Sequence, residues 1–195
     1  MFYWLTILSD GGDFFNLFRY ITFRAGGAFL TSLIFGFVFG RPLINLLRRR
    51  QGQGQPIRSD GPEAHFSKAG TPTMGGALIL GALVVSTVLW ARLDNMHIWV
   101  VLFVTIGFGA IGFADDYAKV SKQTVAGVSG KIRLGLGFGI ALVASLVAAQ
   151  LHPDGLSTQV AVPILKDALV PFGVLFFPFA MIVIVGTANA VNLTD

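Results

Sequence analysis

The sequence contains no cysteine, so neither a disulfide framework nor thiolate chemistry is available to it. Charge is scarce: charged residues make up 12% of the chain, against 54% hydrophobic residues. Together with a mean hydropathy of +0.72, this is the composition of an integral membrane protein and not of a water-soluble domain. The N-terminal stretch Met1 to Asp13 has no basic region ahead of its apolar residues, so it does not read as a cleaved signal peptide. The apolar runs lack the strict alternation that a transmembrane barrel requires. Their middles are almost free of charge, which argues against half of a cation-coupled transporter, whose ion site would sit at mid-membrane.

What is present is a series of apolar runs near the length of about 20 residues needed to span a bilayer. Residues 25–47, 73–91, 98–114, 134–151 and 168–191 are predicted as five transmembrane helices of an all-α, polytopic bundle. Pro171 and Pro178 are expected to kink the last of them. Two long polar loops, 48–72 and 115–133, carry most of the basic residues, including Arg48, Arg49, Arg50, Arg58, Lys68, Lys119, Lys122, Lys131 and Arg133. Basic loops stay on the cytoplasmic side. That predicts a cytoplasmic C-terminus and an N-terminus outside, with Trp4, Trp90 and Trp99 at the outer interface and His97 and His152 on the outer surface. Abundant glycine, 24 residues, suits close helix packing in lipid.

With this topology, three polar clusters fall on one membrane face. In the first, His65 to Gly76, glycines permit close backbone approach to a ligand, Thr71 or Thr73 can cap the helix that follows, and Lys68 and His65 add charge and a titratable donor. Taken alone, this is also how an ordinary capped helix begins, and His65 alone reads as a surface histidine. In the second, Asp115 and Asp116 close an apolar run and Lys119 follows four residues later, on the same face if the helix continues. Two adjacent carboxylates at a membrane boundary need a cation, a lysine or a metal-held phosphate to offset desolvation and repulsion. The plainer reading is a solvated acidic helix end with a surface ion pair of little value. In the third, Asn189, Asn192 and Asp195 recur every three residues, placing oxygen donors on one helical face. This suits magnesium or a nucleotide, where the alternative is a polar C-terminal cap.

The segments Gly61 to Gly76, Gly112 to Lys119 and Asn189 to Asp195 closely resemble the phospho-N-acetylmuramoyl-pentapeptide transferase family, in order and spacing over nearly the whole chain. The aspartate pair and the asparagine motif are shared with the wider polyprenyl-phosphate N-acetylhexosamine-1-phosphate transferases (glycosyltransferase family 4). The His65-Phe66-Ser67-Lys68 to Gly75-Gly76 segment points to the muramoyl branch. The resemblance implies magnesium-dependent transfer of phospho-N-acetylmuramoyl-pentapeptide from its UDP conjugate to undecaprenyl phosphate. The products are UMP and the first lipid-linked peptidoglycan precursor, made at the cytoplasmic face of the bacterial inner membrane. It implies a catalytic role for Asp115, Asp116 and Lys119, and substrate binding by His65, Lys68, Thr71, Thr73, Asn189 and Asp195. Magnesium would be held among Asp115, Asp116, Asn192 and Asp195. The implied partners are the two substrates and membrane lipid, with room for a homodimer and no nucleic acid. Members of this family have ten spanning helices, so residues 1–195 are expected to be a single transmembrane domain, an N-terminal half that is inactive alone. The rivals are an N-acetylglucosamine-1-phosphate transferase using the same lipid and, from another class, the transporter half.

Overall fold

The computed structural model describes residues 1–51, 72–124, 126–153, 155–162, 165 and 168–193. Two short 3-10 helices, Phe2–Leu8 and Phe14–Arg19, precede α1 (Ile21–Gln51), α2 (Gly76–Trp90), α3 (Met96–Lys122) and α4 (Gly130–Gln150). The strands β1 (Gln159–Ala161) and β2 (Leu169–Pro171) follow, then a 3-10 turn, Gly173–Leu175, and α5 (Phe176–Leu193).

Among the described residues, four helices are long and apolar enough to cross a membrane: Ile21–Gln51, Met96–Lys122, Gly130–Gln150 and Gly173–Val191. The apolar helix at 73–91 is shorter than expected. α2 has 15 residues, about 22 Å at 1.5 Å per residue, against a hydrocarbon core of about 30 Å. It starts late because Met74 adopts a left-handed backbone, φ 74°, which a helix cannot include.

Other boundaries also shift. α1 begins four residues earlier than expected and ends at Gln51, and α3 does not end at Ala114 but continues through Asp115, Asp116 and Lys119 to Lys122. Hydropathy drops at these points, but no glycine or proline interrupts residues 115–122, so the helix runs on. Residues 168–172 are not helical as expected. β2 pairs antiparallel with β1 in the register Val160 opposite Val170, and Pro171 closes the strand. Proline lacks the N–H that a helix interior needs, while facing β-branched residues favour a ladder, so a small sheet enters a chain expected to be all-α.

The chain forms two compact units, residues 1–95 with 109–128, and residues 96–108 with 129–195. In the first, α1 packs on α2, and the hydroxyls of Ser32 and Ser86 meet at 2.7 Å. At the start of α1, the Trp90 ring lies against Gly27 and donates to Thr31 Oγ1 at 2.8 Å. Phe18 stacks on the same ring. In the second unit, α4 packs on α5, and its buried positions are mostly small: Gly137, Ala141, Ala144, Ser145 and Ala149. Small residues let membrane helices approach closely without a large hydrophobic side-chain core.

Candidate active site

The continuation of α3 decides how the two aspartates are used. Successive residues on a helix point about 100° apart, so Asp115 and Asp116 serve different neighbours. Asp115 is buried, 6% exposed. Its Oδ2 is 2.8 Å from Lys119 Nζ, one turn further along, and its Oδ1 accepts from the backbone N–H of Val128 at 2.8 Å. This is not the exposed helix pair that contributes little, because the carboxylate is out of solvent and has a second donor. Asp116 is half-buried, and its Oδ2 accepts a hydrogen bond from the Thr73 hydroxyl at 3.0 Å. Mutual repulsion within the acidic pair is therefore offset by three protein donors: one ammonium, one amide and one hydroxyl.

Thr73 is held in turn by a residue that the sequence did not single out. Gln51, the last residue of α1, is buried. Its Oε1 accepts from the Thr73 backbone N–H at 2.9 Å, and its Nε2 donates to the Thr73 carbonyl at 3.1 Å and to Met74 Sδ at 3.4 Å. A side-chain amide gripping both backbone groups of one residue fixes that residue's orientation. Thr73 does not cap α2 as expected. Gly75 occupies the N-cap position without a side-chain bond, and the Thr73 hydroxyl is spent on Asp116. Glycine at 127 is the second residue that sequence reasoning passed over. A Cβ there would stand 2.7 Å from Asp115 Cγ and 2.9 Å from Lys119 Cε.

The remaining expected site residues divide as follows. His65, Lys68 and Thr71 lie outside the described residues, as does Asp195. Asn189 lies on α5, where its Nδ2 donates to the Val185 carbonyl at 2.8 Å. Asn192 is also on α5, with its side chain outside the described residues. Of the expected magnesium ligands, Asp115 has both oxygens engaged by protein donors. Asp116 has one oxygen engaged among the described residues, which leaves the hard oxygen chemistry that magnesium takes. Among the described residues no group of three His, Cys, Asp or Glu side chains is placed to hold a metal ion.

Comparison with known proteins is consistent in direction. The family model for glycosyl transferase family 4 matches residues 98–195, and the phospho-N-acetylmuramoyl-pentapeptide-transferase signature 1 matches residues 68–80. The chain is 71% identical over 195 residues to the phospho-N-acetylmuramoyl-pentapeptide-transferase of a Ruegeria species, covering all of this chain and 54% of that protein. It is 70% identical to the Ruegeria pomeroyi protein with the same coverage. The Maricaulis maris protein is 54% identical over 194 residues, 96% of this chain and 53% of that protein. The chain thus spans about half the length of the curated relatives it matches.

Proposed function

The chain belongs to glycosyl transferase family 4 and is an integral membrane protein, and from that premise we propose that it forms part of a phospho-N-acetylmuramoyl-pentapeptide transferase. The reaction moves phospho-N-acetylmuramoyl-pentapeptide from UDP to undecaprenyl phosphate at the cytoplasmic face of the inner membrane, releasing UMP. The observation that carries this reading is the Thr73–Asp116 hydrogen bond. Thr73 lies in the segment matched by the muramoyl signature, and Asp116 in the region matched by the family model. The element specific to the branch and the acidic pair meet at 3.0 Å. An N-acetylglucosamine-1-phosphate transferase is disfavoured by the same signature.

In this mechanism the protein supplies position and charge more than covalent chemistry. Thr73, gripped by Gln51, orients the Asp116 carboxylate through its hydroxyl. Asp116 then accepts the proton of the lipid phosphate or orients that phosphate for attack. Lys119 is held against Asp115 and places a cation beside the same helix face, where a phosphate gains from it. Lys68, His65 and Thr71 bind the nucleotide-sugar, and Asn189, Asn192 and Asp195 complete the nucleotide and metal region. Asp116 would be among the oxygen ligands holding magnesium, which would supply neutralisation of pyrophosphate charge. In this reading α2 with its flanking residues is the fifth span, and the basic residues of 48–72 and 115–133 support a site on the inner side.

The test uses membranes carrying the intact protein, undecaprenyl phosphate, and either UDP-N-acetylmuramoyl-pentapeptide or UDP-N-acetylglucosamine, with and without magnesium. The expected result is UMP release from the muramoyl conjugate alone, dependent on magnesium. Asp115→Asn and Asp116→Asn should each lower turnover by about two orders of magnitude or more, since loss of a preorganised charge costs several kcal/mol. Lys68→Ala should mainly raise KM. Transfer from the N-acetylglucosamine conjugate, or near-normal turnover in both aspartate variants, would overturn the assignment.

A further inference from the structure

We propose that Gly127 and the backbone N–H of Val128 are positioning residues, a backbone clasp that locks the Asp115–Lys119 pair of the site assigned above; the proposal rests on that assignment for its catalytic consequence. The clasp has three observed parts. The Val128 amide donates to Asp115 Oδ1 at 2.8 Å, across 13 residues of chain. Lys119 Nζ holds the other oxygen of the same carboxylate at 2.8 Å. Gly127 brings the backbone so close that a Cβ would collide with Asp115 Oδ1, and would also stand 2.7 Å from its Cγ and 2.9 Å from Lys119 Cε.

Glycine is needed here for space and not for conformation. Gly11, Gly155 and Gly173 have positive φ, whereas Gly127 does not, so an alanine backbone would be unstrained there. The nearest atoms in its way belong to the carboxylate and the lysine stem. Neither neighbour can yield cheaply. The carboxylate is buried and held from both sides, and the lysine carbon belongs to a side chain whose ammonium is already committed. Charge-assisted bonds from an amide and an ammonium keep Asp115 in one rotamer, and through it fix where the Lys119 charge sits. Asp115 therefore acts as the strut for Lys119, while Asp116, on its different heading along the helix, is left for the lipid phosphate as assigned above. The two aspartates divide the work, and the segment after α3 enforces the division.

The experiment compares Gly127→Ala, Lys119→Ala, the double variant and Gly130→Ala in the intact protein. Gly130 is the control because a Cβ there meets nothing within 4 Å. Gly127→Ala should lower kcat by about tenfold to a hundredfold, the cost of a displacement of about 1 Å in a catalytic group, with KM for the nucleotide-sugar within about threefold. In the Lys119→Ala background, the further loss from Gly127→Ala should shrink to about twofold or less, because the group being positioned is gone. Should Gly127→Ala fail to insert, amide hydrogen exchange at Val128 decides the matter without it, and without any turnover. Exchange should be slow in the wild type and faster by about tenfold or more in Asp115→Ala. Undiminished kcat in Gly127→Ala, additive losses with Lys119→Ala, or unchanged Val128 exchange would each overturn the clasp. Wild-type protein that transfers no muramoyl phosphate would instead overturn the functional assignment, and the exchange measurement would still report on the clasp.

Discussion

Thr73→Val is the most discriminating single change in the site. Valine keeps the shape of threonine and removes only the hydroxyl that donates to Asp116 Oδ2 at 3.0 Å. Gln51 grips Thr73 through the backbone N–H and carbonyl, so that support is untouched by the substitution. A hydrogen bond to a charged group is worth about 1.5–3 kcal/mol, which at about 1.4 kcal/mol per decade is roughly tenfold to 150-fold in rate. Both groups are only half-buried, so solvent replaces part of the lost bond and the lower end applies, about tenfold to thirtyfold. The assay is UMP release by the intact protein in membranes over a range of nucleotide-sugar concentrations. The loss should appear in kcat, because an unsupported Asp116 no longer presents one orientation to the lipid phosphate. Thr73→Ser, which keeps the hydroxyl, should stay within about threefold of wild type. Thr73→Val at wild-type turnover would refute the role given to this bond, as would Thr73→Ser impaired to the same degree as Thr73→Val.

Single cysteines report the orientation cleanly, because the chain has none of its own. Ser121→Cys, exposed near the end of α3, should react with an impermeant thiol reagent only from the cytoplasmic side, and Ser157→Cys only from outside. Labelling of Ser121→Cys from outside intact cells would invert the proposed topology. Gly27→Ala should lower the melting temperature in detergent, since the new methyl meets the Trp90 ring at 2.5 Å and overpacking costs about 1–3 kcal/mol. An unchanged melting temperature would show that the ring has another place to go. Arg92 and Asp94, in the turn between α2 and α3, form an exposed pair at 2.7 Å, and the hydrogen bond from Arg92 holds the Asp94 carboxyl below its ordinary range. The contribution of such a depressed acid is complete above about pH 4, the ordinary carboxyl value, and is lost as pH falls through the lowered one. Asp94→Asn should therefore make the fall in melting temperature below about pH 4 shallower, and an unaltered slope would discount the pair.

The sequence was most informative where the physics is local. Hydropathy is a property of consecutive residues, and it marked each of the five α-helices among the described residues, with errors at their ends. The two overrun ends share one cause: polarity shows where the membrane stops, and not where the helix stops. That is why α1 reaches Gln51 and α3 reaches Lys122. The four-residue spacing of Asp115 and Lys119 was likewise legible, because it needs only a continuous helix. The strand pair at 159–171 was not, since β1 and β2 have meaning only as partners.

Apart from Lys119, tertiary structure alone decided which groups surround the acidic pair. Thr73 lies 43 residues from Asp116 in the chain, Gln51 lies 22 from Thr73, and Val128 lies 13 from Asp115. No periodicity of one segment encodes such pairings. They arise from how helices pack and where the chain leaves them. Chemically plain residues such as Gln51 and Gly127 thereby acquire their roles, one through its amide's reach and the other through having no side chain. The sequence by itself determined a helical membrane protein with two adjacent aspartates at a polarity boundary. Only the fold decided that one of them is clasped by backbone and lysine while the other is held by a threonine hydroxyl, because side-chain direction on a helix changes by about 100° per residue and meets different neighbours at each step.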